Sequence, residues 1–192
     1  MTKGISTKIE YPKIGICGLS CVLCPMYHTE GKSKCDGCKC ENRIAVGCPF
    51  ITCALKKKEI EFCWVCEESS DCGRWEKHRE LGKKYDSFKC YQKLEDDISF
   101  IQKHGISEFE KVQNTREKLL KEMLQDFNEG RSKIYYCIAT TVLEIDELKE
   151  ALNKAKKTSR GLEIKVKSKI LHSVLDGIAE RKNHHLKLRK HK

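Results

Sequence analysis

The chain lacks long apolar runs and has no recognisable export signal. It contains no stretch of about 18 consecutive apolar residues, so no membrane-spanning helix is expected. The N-terminal sequence MTKGISTKIEYPKIGI has no continuous apolar core of the kind that a secretory signal peptide requires. Both absences predict a cytoplasmic protein without a membrane partner, and in the cytoplasm thiols stay reduced.

The chain also lacks the linear motifs of common enzymes. It contains no phosphate-binding loop, no HExxH metalloprotease motif and no Ser/His/Asp arrangement that is visible in the linear sequence. Active sites that are assembled from distant segments leave no such trace. Enzyme activity therefore stays undecided, although the sequence leans against it.

Apolar residues are scarce between residues 17 and 90. Only 20 of these 74 residues are apolar residues other than cysteine, and turn-forming glycines recur throughout. Such a segment cannot bury enough surface to offset its chain entropy unaided. The same segment holds twelve of the thirteen cysteines. Because clustered thiols in a reducing compartment bind metal more often than they form disulfides, bound metal is predicted to supply the missing stability.

The spacing of these cysteines predicts two closed metal sites. Pairs of nearby cysteines that recur after about ten residues are typical of zinc ribbons and zinc knuckles, and closed four-cysteine sites have structural roles. The first predicted site consists of Cys21, Cys24, Cys35 and Cys38. The second predicted site consists of Cys48, Cys53, Cys63 and Cys66. The possible additional ligands are Cys17, Cys40, Cys72 and Cys90, with His28 and His78 as possible substitutes.

An iron–sulfur cluster is the alternative cofactor. Cys17, Cys21 and Cys24 have the three-cysteine spacing that holds the cluster of radical S-adenosylmethionine enzymes. The Cys-Pro steps at residues 24–25 and 48–49 are also found in ferredoxins, although the ferredoxin run of four cysteines is absent. Under this alternative the protein is an electron carrier or a cluster-dependent enzyme.

Positive charge is concentrated at the C-terminus. The formal net charge is +10, and residues 181–192 contribute +6 of it without any acidic residue. Residues 93–180 are neutral, and two zinc tetrathiolate sites, each of about −2, would cancel the remaining +4. A charged terminus of this kind is expected to be solvated, and nucleic-acid binding through it is a further alternative.

The sequence after residue 75 has the period of amphipathic helices. Helices are predicted over residues 75–85 and 91–104, from a capping box at Ser107–Glu110 to Gly130, and over residues 164–182. Residues 134–143 are apolar on nearly all sides and are interpreted as a buried helix that leads into another around residues 148–155, with a strand as the alternative. Cys137 is interpreted as a core residue. Arg131 and Lys133 are interpreted as cations that cap a helix end or, with Ser132, as an anion site.

These features predict an α-rich fold of small α+β character. An irregular, metal-stabilised, cysteine-rich module over residues 1–90 precedes a helical region over residues 91–182 and a basic tail over residues 183–192. Residues 1–16 are expected to form an extended arm or an edge strand. The predicted function is that of a metal-binding protein with structural zinc, which acts as a binding or adaptor module for an unidentified protein partner.

Three cysteine-containing segments and one helical segment are similar to a known family. They are CGLSCVLCPMY at residues 17–27, CDGC at 35–38, GCPFITCALKKKEIEFCWVC at 47–66 and GRSKIYYCIATTVLEIDELKEAL at 130–152. Through them the chain resembles the prokaryotic cysteine-rich family known as domain of unknown function number 3795. The resemblance implies metal binding through these cysteines and names no reaction. Ser70-Asp71-Cys72 departs from the Pro-Cys of many members, which weakens the assignment of Cys72 as a ligand.

Overall fold

The computed structural model describes residues 8–191, and helices predominate in it. Helices make up 60% of the structure and strands are almost absent. Within the described residues, one isolated antiparallel bridge pairs Ile14 with Ser20. The predicted α-rich class is confirmed, whereas the strand content of the predicted α+β character is reduced to that bridge. The first seven residues of the predicted N-terminal arm lie outside the described residues.

Eight α-helices lie within residues 8–191. They are α1 (Glu41–Val46), α2 (Pro49–Ile51), α3 (Gly73–Lys84), α4 (Leu94–His104), α5 (Ile106–Asp126), α6 (Lys133–Val142), α7 (Ile145–Thr158) and α8 (Ile164–Arg181). Helix α2 continues as a π-helix over Thr52–Lys57, and 3-10 turns occur at Cys21–Leu23, Gly31–Ser33 and Cys63–Val65. No helix in this part of the chain is both long and apolar enough to span a membrane.

The helices predicted from apolar periodicity are confirmed, with differences in their bounds. Helix α4 begins at Leu94 and not at residue 91, and α5 ends at Asp126, four residues before Gly130, and also differs at its start. The helix begins at Ile106, so Ser107 lies inside its first turn instead of capping it. Gly105 ends α4 with φ +84°, a left-handed conformation that glycine adopts without steric cost, and this allows α5 to begin at once. The Ser107 hydroxyl lies 3.0 Å from the Tyr11 hydroxyl.

Residues 134–143 form helix α6 and not a strand. Six of the ten residues of α6 are buried, which explains why the sequence shows no polar face here. Cys137 is 1% exposed, so its interpretation as a core residue is confirmed. At the C-terminal end of α6, the guanidinium of Arg116 donates to the backbone carbonyl oxygens of Thr140 and Leu143.

The described chain divides into two compact units that interleave along the sequence. The first unit comprises residues 8–22, 26–84 and 94–110, and the second comprises residues 23–25, 85–93 and 111–191. The domain boundaries proposed after residues 90 and 182 stay predictions.

The first unit has a divided apolar core. One cluster consists of Ile14, Phe62, Ile101 and Phe109. A second cluster consists of Ile16, Ile51, Ala54 and Leu55. In the second unit, by contrast, α7 packs against α8. Leucines that are at most 1% exposed occur in α5, after α6, and in α7 and α8: Leu120, Leu143, Leu148, Leu152, Leu171 and Leu175. The cysteine-rich unit is therefore the one with less apolar packing, as its composition predicts.

The basic tail packs on the second unit instead of being fully solvated. The Arg189 guanidinium forms a bidentate ion pair with the buried carboxylate of Asp86, at 2.9 and 3.0 Å. The backbone N–H of Arg189 also donates to Asp86, and the backbone N–H of Asp86 donates to the Arg189 carbonyl oxygen, both at 2.8 Å. Leu186 is 7% exposed, and His191 stacks on Tyr85. Nucleic-acid binding through this tail stays a prediction.

Candidate metal centre in the cysteine-rich unit

None of the thirteen cysteines, all within the described residues, forms a disulfide. The first unit gathers most of them into two groups, and both groups differ from the predicted sets. Below, the Cys63 group means Cys17, Cys53, Cys63, Cys66 and Cys72, and the Cys38 group means Cys21, Cys35, Cys38 and Cys40.

The Cys63 group is identified by mutual electrostatic effects. The pKa of the Cys63 thiol is raised to about 12, first because burial disfavours the thiolate and then because of the other four thiols of the group. Repulsion of this kind requires the sulfur atoms to lie close together. A divalent cation would remove the repulsion, because four thiolates are the ligands that zinc prefers.

Local backbone structure explains how the Cys63 group is assembled. The 3-10 turn Cys63–Val65 lets the Cys66 N–H donate to the Cys63 carbonyl oxygen at 3.3 Å, which is a tight turn across the C-x-x-C pair. The Cys63 N–H donates to the Ile16 carbonyl oxygen at 3.0 Å and so draws Cys63 beside Cys17. Cys53 lies in the π-helix, and Cys72 directly precedes α3.

Four of these cysteines also line a cavity of about 650 Å³ in the first unit. The thiols that line it are Cys48, Cys53, Cys63, Cys66 and Cys72. The other lining residues include the aromatic rings of Phe50 and Trp75 and the cations Lys57, Lys58 and Arg74. Lys58 forms an ion pair with Glu68. The cavity therefore combines thiols with positive charge, which suits a group that carries net negative charge once thiolates bind a metal.

The Cys38 group surrounds two cations. The Cys38 N–H donates to Cys21 Sγ at 3.3 Å. The pKa of the Arg43 guanidinium is raised, chiefly by a hydrogen bond to Cys35 and by the nearness of Cys35, and also by Cys38 and Cys40. A guanidinium in this position would offset part of the negative charge of a metal site built from these cysteines.

Lys39 is the second cation of the Cys38 group, and its side chain is fully buried. Its Nζ donates to Glu61 Oε1 at 2.6 Å and to the Tyr11 carbonyl oxygen at 3.0 Å, and it lies 3.9 Å from the centre of the Phe62 ring. Burial lowers the pKa of this ammonium group, while Glu61 and the nearby thiols of Cys21 and Cys38 act in the opposite direction. A buried ammonium ion beside two thiols offsets part of the charge of a thiolate site.

Two glycines allow the backbone to approach the thiols. A methyl group added at Gly15 would lie 3.6 Å from Cys17 Sγ and 3.8 Å from Cys38 Sγ, so this residue contacts both cysteine groups. Gly37 has φ +116°, and a Cβ atom there would lie 2.8 Å from the Pro12 carbonyl oxygen and 3.9 Å from Cys21 Sγ. Only glycine accommodates both that φ and that close approach.

The remaining predicted ligands lie elsewhere. Cys24 belongs to the second unit, where its nearness and, to a larger extent, burial raise the pKa of Cys137. Cys90 also belongs to the second unit, and burial is the main cause that raises the pKa of its thiol to about 11. His28 Nε2 lies 2.6 Å from the Val22 carbonyl oxygen, and the His78 ring stacks on Trp75.

The three-cysteine motif does not stay together in the fold. Cys17 lies in the Cys63 group, Cys21 in the Cys38 group, and Cys24 beside Cys137. Among residues 8–191, no group of three or more Cys, His, Asp or Glu side chains converges closely enough to hold a metal ion as the atoms stand. The two groups therefore bring ligand types together without forming a closed coordination shell.

Sequence spacing placed Cys40 and Cys72 among the possible additional ligands and not in the two predicted sets. It grouped Cys24 with Cys21, whereas Cys24 belongs to the second unit. The signal that was available is the C-x-C of Cys38 and Cys40, which places both thiols on one short turn before α1. The two cations near the Cys38 group, Lys39 and Arg43, also interrupt the cysteine run itself.

Comparison with models of protein families, with curated proteins and with solved structures finds no match to this chain. The resemblance described above therefore stays a prediction, and the functional argument depends on the site itself.

Proposed function

We propose that this chain is a metal-binding protein whose first unit is stabilised by zinc bound to thiolates. The observation that carries the proposal is the cavity that Cys53, Cys63, Cys66 and Cys72 line together. The raised pKa of Cys63, caused by burial and by neighbouring thiols, agrees with it. Thiols that repel one another when ionised are stabilised together by one dication. The divided apolar core of the first unit gives such cross-links a structural role.

The proposed ligands follow from two independent criteria. The first criterion is membership of the Cys63 group, and the second is a place in the lining of the thiol cavity. Four cysteines meet both: Cys53, Cys63, Cys66 and Cys72. They form the proposed second site. The proposed first site is the Cys38 group, in which Cys40 takes the place that spacing assigned to Cys24. Lys39 and Arg43 offset part of the negative charge of this first site.

The proposed role of the whole protein is that of a binding or adaptor module. Closed four-thiolate sites hold a fold together and leave no open position for a substrate. Because closed sites leave no position for a substrate, the proposed ligand of the module is a protein partner.

Metal analysis tests the proposal directly. Protein purified anaerobically without added chelator should be colourless and contain about two zinc ions per chain, one for each closed tetrathiolate site. Stoichiometric iron without zinc would overturn the zinc assignment.

A pair of matched variants tests the ligand assignment. Cys40→Ser should lower the zinc content by about one ion per chain, because the first site loses a ligand, whereas Cys24→Ser should keep the wild-type content. The reverse result would restore the set predicted from spacing.

An iron–sulfur cluster in the thiol cavity is the second candidate. It is favoured by the number of thiols, since five line the cavity and a single zinc site uses four. Lys57, Lys58 and Arg74 along the same cavity suit the negative charge of such a cluster. The test is the colour and iron content of anaerobic preparations. A brown protein with iron and sulfide that bleaches in the Cys63→Ser variant would favour this candidate over zinc at the second site.

A further inference from the structure

A polar cluster in the second unit joins one serine hydroxyl to a carboxylate and an imidazole. Ser132 Oγ donates to Glu129 Oε2 at 2.6 Å, and His172 Nε2 lies 2.8 Å from the same Oγ. Ser168 Oγ donates to Glu129 Oε2 at 2.9 Å and lies 3.1 Å from Ser132 Oγ. These residues come from the loop before α6 and from α8, so no motif in the linear sequence contains all of them.

The cluster opens into a groove. The groove has a volume of about 940 Å³, and Glu129, Ser132, Ser168 and His172 are among the residues that line it. Ser132 itself is 2% exposed and forms part of the wall of the groove. The lining carries both signs of charge, with Lys165 and Lys169 towards the start of α8 and Asp176 and Glu180 towards its end.

The hydrogen bonds assign the protons in this cluster. Burial raises the pKa of Glu129, but hydrogen bonds from Ser132 and Ser168 outweigh it, so the pKa is lowered and the carboxylate is ionised at neutral pH. An ionised carboxylate only accepts, so Ser132 gives its single proton to Glu129. His172 Nε2 must then carry a proton and donate to Ser132 Oγ.

His172 is held in place by its surroundings. Its ring stacks on Tyr135 with a centroid distance of 3.8 Å and an interplanar angle of 13°, and it meets Tyr136 edge-on. The Tyr135 hydroxyl donates to Asp176 Oδ1 at 2.8 Å. Burial is the main cause that lowers the pKa of His172, so the ring is neutral near pH 7. Ser132 also directly precedes α6, whose N-terminal end favours negative charge.

We propose that Ser132 is a nucleophile for acyl transfer from small polar esters. The Oγ–carbon bond forms and the ester carbon–oxygen bond breaks. The serine proton passes to Glu129 and from there to the leaving alcohol oxygen. Water then cleaves the acyl-enzyme in the same way, which releases the carboxylic acid and returns the proton to Ser132. Glu129 acts as the general base, and His172 donates a hydrogen bond to the negative charge that develops on Oγ.

The test uses a fluorophosphonate probe on the full-length protein. Attack by Ser132 forms an Oγ–phosphorus bond and releases fluoride and the serine proton, so each labelled chain gains the mass of the probe minus that of HF. Peptide mapping should place the adduct on Ser132, and Ser132→Ala should abolish it. Glu129→Gln should slow labelling by about a hundredfold, the usual contribution of a general base.

Two further variants separate chemistry from folding. Ser173→Ala removes an exposed serine that lines the same groove and should label at the wild-type rate. His172→Gln keeps a donor near Ser132 and should retain more labelling than His172→Leu when both have wild-type far-UV circular dichroism. Absence of an adduct at Ser132 in the wild type, or labelling unaffected by Glu129→Gln, would overturn the proposal. Zinc content is expected to be unchanged in every one of these variants, so this test is independent of the proposed metal sites.

Discussion

Gly37 shows how a single residue limits what the cysteine-rich unit tolerates. Gly37→Ala places a Cβ atom 2.8 Å from a backbone oxygen at a positive φ, so both strain and a clash result. Gly31 also has a positive φ, +76°, but nothing lies within 4 Å of its added Cβ atom. We expect Gly31→Ala to cost about 1 kcal/mol and Gly37→Ala clearly more, measured by urea denaturation of the metal-loaded protein. Equal losses of unfolding free energy in the two variants would show that the backbone near Pro12 moves away from the added Cβ atom at little cost.

The Cys63 thiol predicts a pH dependence for the metal-free chain. Its pKa is raised from 9.0 to about 12 in the folded state, so the folded chain keeps this proton at pH values where the unfolded chain has lost it. The folded state then binds more protons, and its stability falls as the pH rises from about 9 towards 12. Cys63→Ala should flatten this fall. A stability that rises over this range in chelated protein would contradict the arrangement of the Cys63 group.

At the scale of residues, spacing predicted a neighbouring pair of cysteines better than the larger sets. The pair Cys63 and Cys66 was predicted together, and a tight turn brings these residues together. Cys24 was grouped with Cys21 because only two residues separate them, yet the two residues belong to different units. Sequence spacing limits how far apart two thiols can lie, but it does not fix the direction in which each side chain points.

At the scale of elements, apolar periodicity was sufficient to predict the helices but gave no information on where the C-terminal tail packs. Helices α3 to α8 follow apolar patterns that a 3.6-residue period makes visible. The tail has no such pattern, and its position depends on Asp86, which lies about a hundred residues earlier in the sequence. A single long-range ion pair leaves no periodic signal, so its partner was not predictable.

The ion pair between Arg189 and Asp86 predicts the effect of a tail substitution. Arg189→Ala leaves a carboxylate that is fully buried without its guanidinium, which should cost about 3 kcal/mol in urea denaturation. Burial raises the pKa of Asp86, but hydrogen bonds from Arg189 and the Tyr91 N–H hold it below its usual range. Its contribution is therefore present at neutral pH and lost as the pH falls through the folded value.

The control for the tail is Lys190→Ala. Lys190 is an exposed cation next to Arg189, and its loss changes the net charge by the same amount. We expect this variant to match the wild type within about 0.5 kcal/mol. If both variants lose the same stability, net charge and not the buried pair is responsible. The Arg189→Ala variant should also begin acid unfolding at a higher pH than the wild type.

At the scale of the whole molecule, the two units should respond differently to metal removal. The first unit has a divided apolar core and holds both thiol groups, whereas the second buries leucines of α5, α7 and α8. Chelation should therefore remove hydrogen-exchange protection from residues 8–84 and retain it over residues 133–181. Uniform loss along the chain would show that the second unit also depends on metal. Unchanged protection in the first unit would remove the structural role proposed for zinc.

Gly15 has a consequence for how metal would be taken up. A Cβ atom on this residue would lie within 4 Å of both Cys17 Sγ and Cys38 Sγ, so the backbone at Gly15 is close to one member of each thiol group. If binding of an ion at either proposed site orders this residue, its conformational entropy is lost when the first ion binds and is not lost again when the second binds. The second ion then binds more tightly than the first, and by linkage the effect is the same whichever site loads first. A zinc titration would be sigmoidal, and half-loaded protein would consist mainly of empty and full chains.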